Sequence, residues 1–166
     1  MTAVRHIAAF LMLPFVVTVV VPITIARRSA ASLHWPPSLL AAALGAILFL
    51  AGIVLFCASL YEFIHRGKGT LAPWDPPSQL VVHGPYRYVR NPMITGVVLL
   101  LTAEAALLWS RPIAEWAVLF AIINAVYIPL LEEPQLGQRF GESYREYCRH
   151  VPRLIPRLSP WNGAME

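Results

Sequence analysis

Charge is scarce in this chain. Of its 166 residues 13% are Asp, Glu, Lys or Arg and 57% are hydrophobic. A soluble domain carries roughly 25% charged residues, so the deficit excludes both a disordered chain and an ordinary water-soluble enzyme. Cysteine is scarce too. Cys57 falls inside an apolar run and Cys148 outside one, with no CxxC and no zinc spacing, so neither a disulfide nor a thiolate metal site is expected. His6, His34, His65, His83 and His150 form no i, i+4 pair, and no metal is expected on them. There is no G-x-S-x-G. Gly67–Ala72 fits the loosest dinucleotide pattern, G-x-G-x-x-A, but follows an apolar helix instead of a strand, which removes its meaning.

What is present is long apolar sequence. Ile7–Ala26 and Leu33–Tyr61 contain no Asp, Glu, Lys or Arg, and mean hydropathy over the chain is +0.59. Runs of that length read as membrane-spanning helices. The expected fold is an all-α integral membrane protein, one domain over 1–166, with four transmembrane helices and a C-terminal cytosolic amphipathic helix. The spans are about 7–26, 39–64, 92–110 and 113–131, the first bent by Pro14 and Pro22. The first reads as uncleaved, because Arg27 and Arg28 stand where small cleavage-site residues belong. Little more than Arg111-Pro112 joins the last two, which implies a helical hairpin.

Four spans put the N-terminus, the 65–91 loop and the tail on one side. That side holds Arg5, Arg66, Lys68, Arg87, Arg90, Arg139, Arg145, Arg149, Arg153 and Arg157, against Arg27, Arg28 and Arg111 opposite. The imbalance places both termini in the cytoplasm and explains the net charge of +4 by anionic lipid, without nucleic acid. The 65–91 loop is rich in Pro, Gly and aromatics, a composition that suits an ordered functional loop. In the tail, Phe140, Tyr144, Tyr147 and Val151 recur at helical spacing with Glu142, Arg145, Glu146 and Arg149 between them, an amphipathic cap within 132–166.

Two segments converge at the cytosolic end of the hairpin: Gly84–Gly96, which enters the third span, and Glu132-Glu133, which leaves the fourth. Carboxylates at a membrane boundary need partners. Facing them are Arg87, Arg90, Asn91, Tyr86 and Tyr88. Two readings fit. In one, the acids clamp the hairpin by pairing with Arg87 or Arg90, and the tyrosines are an interfacial belt. In the other, the mix holds a zwitterion such as S-adenosylmethionine, its ammonium on a carboxylate, its carboxylate on Arg, Asn or backbone N–H groups, and its sulfonium against an aromatic face.

The stretches GKGTLAPWDPP (67–77), GPYRYVRNPMITG (84–96), EEPQLGQRFGESYREY (132–147) and VPRLIPR (151–157) resemble the isoprenylcysteine carboxyl methyltransferase and phospholipid methyltransferase group. The resemblance covers about the C-terminal two thirds and implies S-adenosylmethionine bound at the cytosolic end of the last two spans. By position, Gln79, Leu80, Val81, Tyr86, Asn91, Pro92, Met93 and Ile94 would contact the cofactor. Glu133 would take its ammonium, the tail would close over it, and a lipophilic acceptor would enter from the bilayer. The chain departs from the group where Arg-His-Pro-x-Tyr is common: here the residues are Arg90-Asn91-Pro92-Met93-Ile94. Pro129 also stands where carboxyl methyltransferases of prenylated proteins carry an Arg, which weakens a prenylcysteine carboxylate as acceptor.

Methyl transfer from a sulfonium is an in-line displacement with a neutral leaving group, so the enzyme mainly aligns the reactants and excludes water. An amine acceptor additionally needs a base. Glu132 and Arg90 are the catalytic candidates. Glu104 lies roughly 17 Å along the third span from its cytosolic end; as an intramembrane acid it is a candidate for acceptor binding. The partners expected are the lipid bilayer and a small or lipophilic acceptor, a carboxylate, amine or thiol. An NADPH-dependent membrane reductase of related topology and a non-enzymatic scaffold are the competing readings.

Overall fold

The computed structural model describes residues 11–29, 35–67 and 78–163. The start of the first expected span and most of the 67–77 motif lie outside the described residues. Helix is the only regular structure among those described: α1 (Val21–Arg28, led by a π-helical segment Leu11–Val20), α2 (Leu39–Gly67), α3 (Pro92–Leu107), α4 (Arg111–Tyr127) and α5 (Glu133–His150). A 3₁₀ turn, Gly84–Arg87, precedes α3, and a π-helical segment, Ile128–Glu132, joins α4 to α5.

The prolines account for the irregular turns. Pro14 sits inside the first π-helical segment and Pro129 inside the second. Proline lacks the N–H that an α-helix needs and its ring crowds the preceding turn, so the hydrogen-bond ladder widens locally. Thr18 Oγ1 donates to the Pro14 carbonyl at 2.7 Å. Pro112 takes the first turn of α4, where a missing N–H costs nothing. The connection between α3 and α4 is therefore Leu108–Ser110, with Trp109 at φ 45°, and Arg111-Pro112 belongs to the helix instead of to the linker.

Among the described residues, two helices are long and apolar enough to cross a membrane: Leu39–Gly67, with 29 residues, and the continuous run Arg111–His150, with 40. Only 17% of the most apolar window of each is buried, which distinguishes them from the core helices of a soluble protein. Leu40, Leu44, Ile47, Leu50 and Val54 of α2 point outward, as do Val118, Ile122 and Val126 of α4. Such faces suit an apolar solvent. Helix α3 has 16 residues and ends three short of the expected Ser110. At 1.5 Å per residue it is about 24 Å long, less than a hydrocarbon core of about 30 Å. The tail helix is not set off from the fourth apolar helix by a loop; the break falls instead at Gly141, whose φ 58°, ψ −129° is non-helical.

The chain divides into two compact units, Met1–Val54 with Gly96–Ile123, and Leu55–Thr95 with Asn124–Glu166. In the first, α2 and α3 meet at glycine: a Cβ on Gly52 would stand 2.9 Å from Leu100 Cγ and 3.0 Å from the Gly96 carbonyl oxygen. Small residues permit this approach without a driving force from water. In the second, Val82, Tyr144, Tyr147, Val151 and Trp161 form a core, with Leu80, Leu136, Phe140 and Cys148 packed against it.

Candidate functional site

The second unit brings loop, helix exit and tail together. His83 is extended, Gly84 turns at φ 54°, and Pro85 opens the 3₁₀ turn. Tyr86 N–H donates to the His83 carbonyl at 3.1 Å and Tyr88 N–H to that of Pro85 at 3.0 Å. Asn91 then leads into α3, its carbonyl accepting from the Thr95 N–H and hydroxyl, both at 3.1 Å. The tail runs alongside this loop. Arg90 N–H donates to the Pro152 carbonyl at 2.9 Å, Arg157 N–H to that of Tyr88 at 3.0 Å and Trp161 N–H to that of Arg87 at 3.0 Å. Arg87 returns the contact through Nε to the Trp161 carbonyl at 2.8 Å and through Nη2 to Asn162 Oδ1.

Glu133 is the ionic centre. Arg153 grips it with two parallel bonds of 2.7 Å, and Arg90 Nη1 stands 2.9 Å from Oε1. Fork-on-fork pairing of this kind is among the stronger polar contacts available to a protein. The hydrogen bonds from Arg153, aided by the charges of both arginines and opposed by burial, hold the Glu133 carboxyl below its ordinary value. Arg90 Nη1 also donates to Cys148 Sγ at 2.7 Å, yet its Nε is buried without a partner among the described residues.

Glu132 differs from its neighbour. Its half-buried carboxylate makes no hydrogen bond or ion pair among the described residues. Burial, and then the charge of Glu133, raise its pKa above the ordinary value. Across the loop, Tyr86 is 9% exposed. Burial first, then the charges of Glu132 and Glu62, push its phenol up. Glu62, in the last turns of α2, pairs through Oε2 with Arg66 at 2.7 Å and lies against Gly84, where a Cβ would meet its Cγ at 3.0 Å.

The structure thus brings together Arg90, Tyr86, Glu132 and Glu133, with Leu80 half-buried, Val81 and Pro92 buried, and Asn91, Met93 and Ile94 half-buried in the same unit. Gln79 is exposed, its N–H 3.3 Å from the Gly67 carbonyl. Glu104 belongs to the other unit, where its Oε2 is buried with no partner among the described residues. Of the twin acids only Glu133 is paired, with Arg90 and Arg153, and Arg87 is committed to the tail. Sequence patterns do not single out Arg153, although it lies within the VPRLIPR stretch, or Glu62, an acid inside the second expected span. No group of His, Cys, Asp and Glu among the described residues could hold a metal ion.

The donors and acceptors left over fit a zwitterionic cofactor. Arg90 Nε is an orphaned buried donor for a carboxylate, and the Arg90–Glu133–Arg153 cluster carries one net positive charge. Glu132 is an acceptor with no cation. Residues 40–143 match the family model described as phospholipid methyltransferase, PEMT. No curated protein matches the chain.

Proposed function

The chain belongs to the phospholipid methyltransferase family, and from that premise we propose that it is a multi-pass membrane enzyme using S-adenosylmethionine to methylate a small or lipophilic acceptor at the cytosolic edge of the bilayer. One observation supports this above others. The ion pair between Arg90 and Glu133, 2.9 Å long, ties the entry of α3 to the exit of α4 and leaves a carboxylate, Glu132, and a guanidinium N–H without partners among the described residues.

In this reading Arg90 receives the cofactor carboxylate on its free Nε. Glu133 receives the ammonium, and Arg153, with a side chain 37% exposed, is the partner that yields. Tyr86, the Gln79–Val81 stretch and the Asn91–Ile94 turn form the walls for the apolar and aromatic parts. The tail, bonded along residues 87–90, keeps water from the reacting groups, a condition for alkyl transfer to the intended nucleophile. When bound, the cofactor supplies a methyl group activated on a sulfonium. The outward apolar faces admit an acceptor from the lipid side, and the excess of Lys and Arg in the loop and tail orients that end toward the cytoplasm.

Calorimetric titration of S-adenosylmethionine into detergent-purified protein tests the reading. Wild type binds, and Glu133→Ala loses at least tenfold in affinity, about 1.4 kcal/mol. A wild type that binds NADPH and not S-adenosylmethionine, or neither, overturns it.

A further inference from the structure

Beyond α5 the tail carries apolar side chains on its outside. Leu154 is 43% exposed, Ile155 81%, and Leu158 wholly so. The segment is not free to fold them inward. Arg90 N–H donates to the Pro152 carbonyl, Arg157 N–H to that of Tyr88 and Trp161 N–H to that of Arg87. Arg157 Nη1 adds a bond to the His150 carbonyl at 3.0 Å. Pro152, Pro156 and Pro160 fix φ along the same stretch. Trp161 closes the far end by stacking on His150, with ring centroids 5.3 Å apart and planes 9° from parallel. The tail residues that have a place in the core, Val151 and Trp161, already occupy it. Leu154, Ile155 and Leu158 therefore face outward from a strap whose path is set.

We propose that Leu154, Ile155 and Leu158 form a wedge that seats the tail in an anionic lipid leaflet. The assignment rests on the membrane part of the reading above and not on its cofactor. Exposed apolar side chains grouped on a fixed segment mark a contact surface. Two observations select a bilayer as its occupant. The first is continuity. Arg153, next to Leu154, is bonded to Glu133 at 2.7 Å. Glu133 directly follows Leu130 to Glu132, and Leu130 and Leu131 point outward, 67% and 51% exposed, on the long apolar run Arg111–His150. On its other side the strap is held by Tyr88 and Arg90, just ahead of Pro92, where apolar α3 begins. The wedge thus extends the outward apolar surface at the place where the helices stop being apolar, which is where headgroups lie. The second observation is charge. Residues 139–157 hold Arg139, Arg145, Arg149, Arg153 and Arg157 against Glu142 and Glu146. Anionic lipid attracts such a segment, and apolar side chains among the arginines reach below the headgroups. A second copy of the chain would bring the same positive charge to the contact, which opposes self-association there.

The test places the photoreactive residue p-benzoylphenylalanine at Ile155 in one variant and at Leu158 in another, with the full chain in nanodiscs of phosphatidylcholine and phosphatidylglycerol. Both positions are open, so the larger ring displaces nothing. Mass spectrometry after irradiation reads the lipid adducts. Their yield at Ile155 and Leu158 exceeds several-fold that at Glu146, an exposed polar position on α5, and falls several-fold when phosphatidylglycerol is left out. Val118, on the outward face of α4, is the bilayer control. Adducts at Val118 with no excess over Glu146 at Ile155 and Leu158 overturn the wedge, and so does cross-linking of those two positions to a second copy of the chain. A yield indifferent to phosphatidylglycerol overturns the anionic leaflet as the partner. Absence of adducts at Val118 as well overturns the membrane reading together with the wedge. Wedge adducts in a chain that fails to bind S-adenosylmethionine sink the methyltransferase reading and leave the wedge standing.

Discussion

The Tyr147 hydroxyl donates to the main-chain carbonyl of Tyr86 at 2.6 Å, pinning α5 to the turn that carries the site. Both residues are buried, Tyr147 at 2% exposure. Burial raises the phenol of Tyr147 well above its ordinary value, so it remains a donor at every working pH. Tyr147→Phe leaves a buried carbonyl unsatisfied, at a cost of roughly 1–3 kcal/mol. SDS titration of the purified protein reads this as a lower unfolding midpoint. Arg145→Ala, at an exposed ion pair with Glu142, serves as the control and shifts the midpoint little.

The clamp on Glu133 gives stability a defined acid limb. Its folded pKa is lowered from the ordinary 4.5 by the Arg153 hydrogen bonds and the charge of Arg90. A depressed carboxyl contributes stability that is complete above its unfolded value and disappears as pH falls through the folded one. Wild type therefore loses resistance to SDS as pH drops below 4.5. Glu133→Gln flattens that limb and starts from a lower plateau at neutral pH, since two arginines then face each other without their anion. An unchanged acid limb in Glu133→Gln counts against the clamp.

Glu132 has the opposite sign. Its pKa is raised by burial and by Glu133, so the protonated form is favoured by the fold. Such a group stabilises below its unfolded value and the benefit is lost as pH rises through the folded one. At neutral pH the ionised side chain is a liability. Glu132→Gln accordingly has a higher SDS midpoint than wild type at about pH 7.5, and no advantage at about pH 4, where the native carboxyl is itself protonated. Methyl transfer falls at least tenfold in the same variant if Glu132, the catalytic candidate, acts on the acceptor. A variant both less stable and fully active would assign Glu132 to structure.

The contrast between these adjacent acids is not legible in the sequence. The apolar runs, the loop and the acids are, because charge depletion and helical spacing are local properties: α2 begins at Leu39 as the hydropathy pattern requires, and α3 begins at Pro92. The meeting of Arg90 with Glu133 also follows from chain reversal between α3 and α4. What decides which acid is clamped is the azimuth of each side chain around the Ile128–Glu132 π-helical segment and the path of the tail that delivers Arg153. Neither can be read from spacing. Glu62 stands one helical turn before Arg66, a pairing that spacing does suggest, whereas its place against Gly84 depends on the path of the loop. The wide turn at Pro129 similarly keeps the helix running where a break is expected, because a π-type ladder absorbs the missing N–H.

Two glycines separate strain from function at this site. Gly84 and Gly141 have φ of 54° and 58°, a region that costs an L-residue roughly 1–2 kcal/mol. A Cβ at Gly141 meets nothing within 4 Å, whereas one at Gly84 meets Glu62 Cγ at 3.0 Å and Oε1 at 3.3 Å. Alanine at either position therefore lowers the SDS midpoint. Only Gly84→Ala displaces the carboxylate of Glu62. Affinity for S-adenosylmethionine, read by calorimetric titration, consequently falls several-fold in Gly84→Ala, whose turn leads into Tyr86, and is retained in Gly141→Ala. If both variants lose affinity equally, loosening of the fold accounts for the effect and the Gly84 turn does not. If only Gly84→Ala loses it, the close approach of α2 to the loop at Gly84 sets the geometry of the cofactor site.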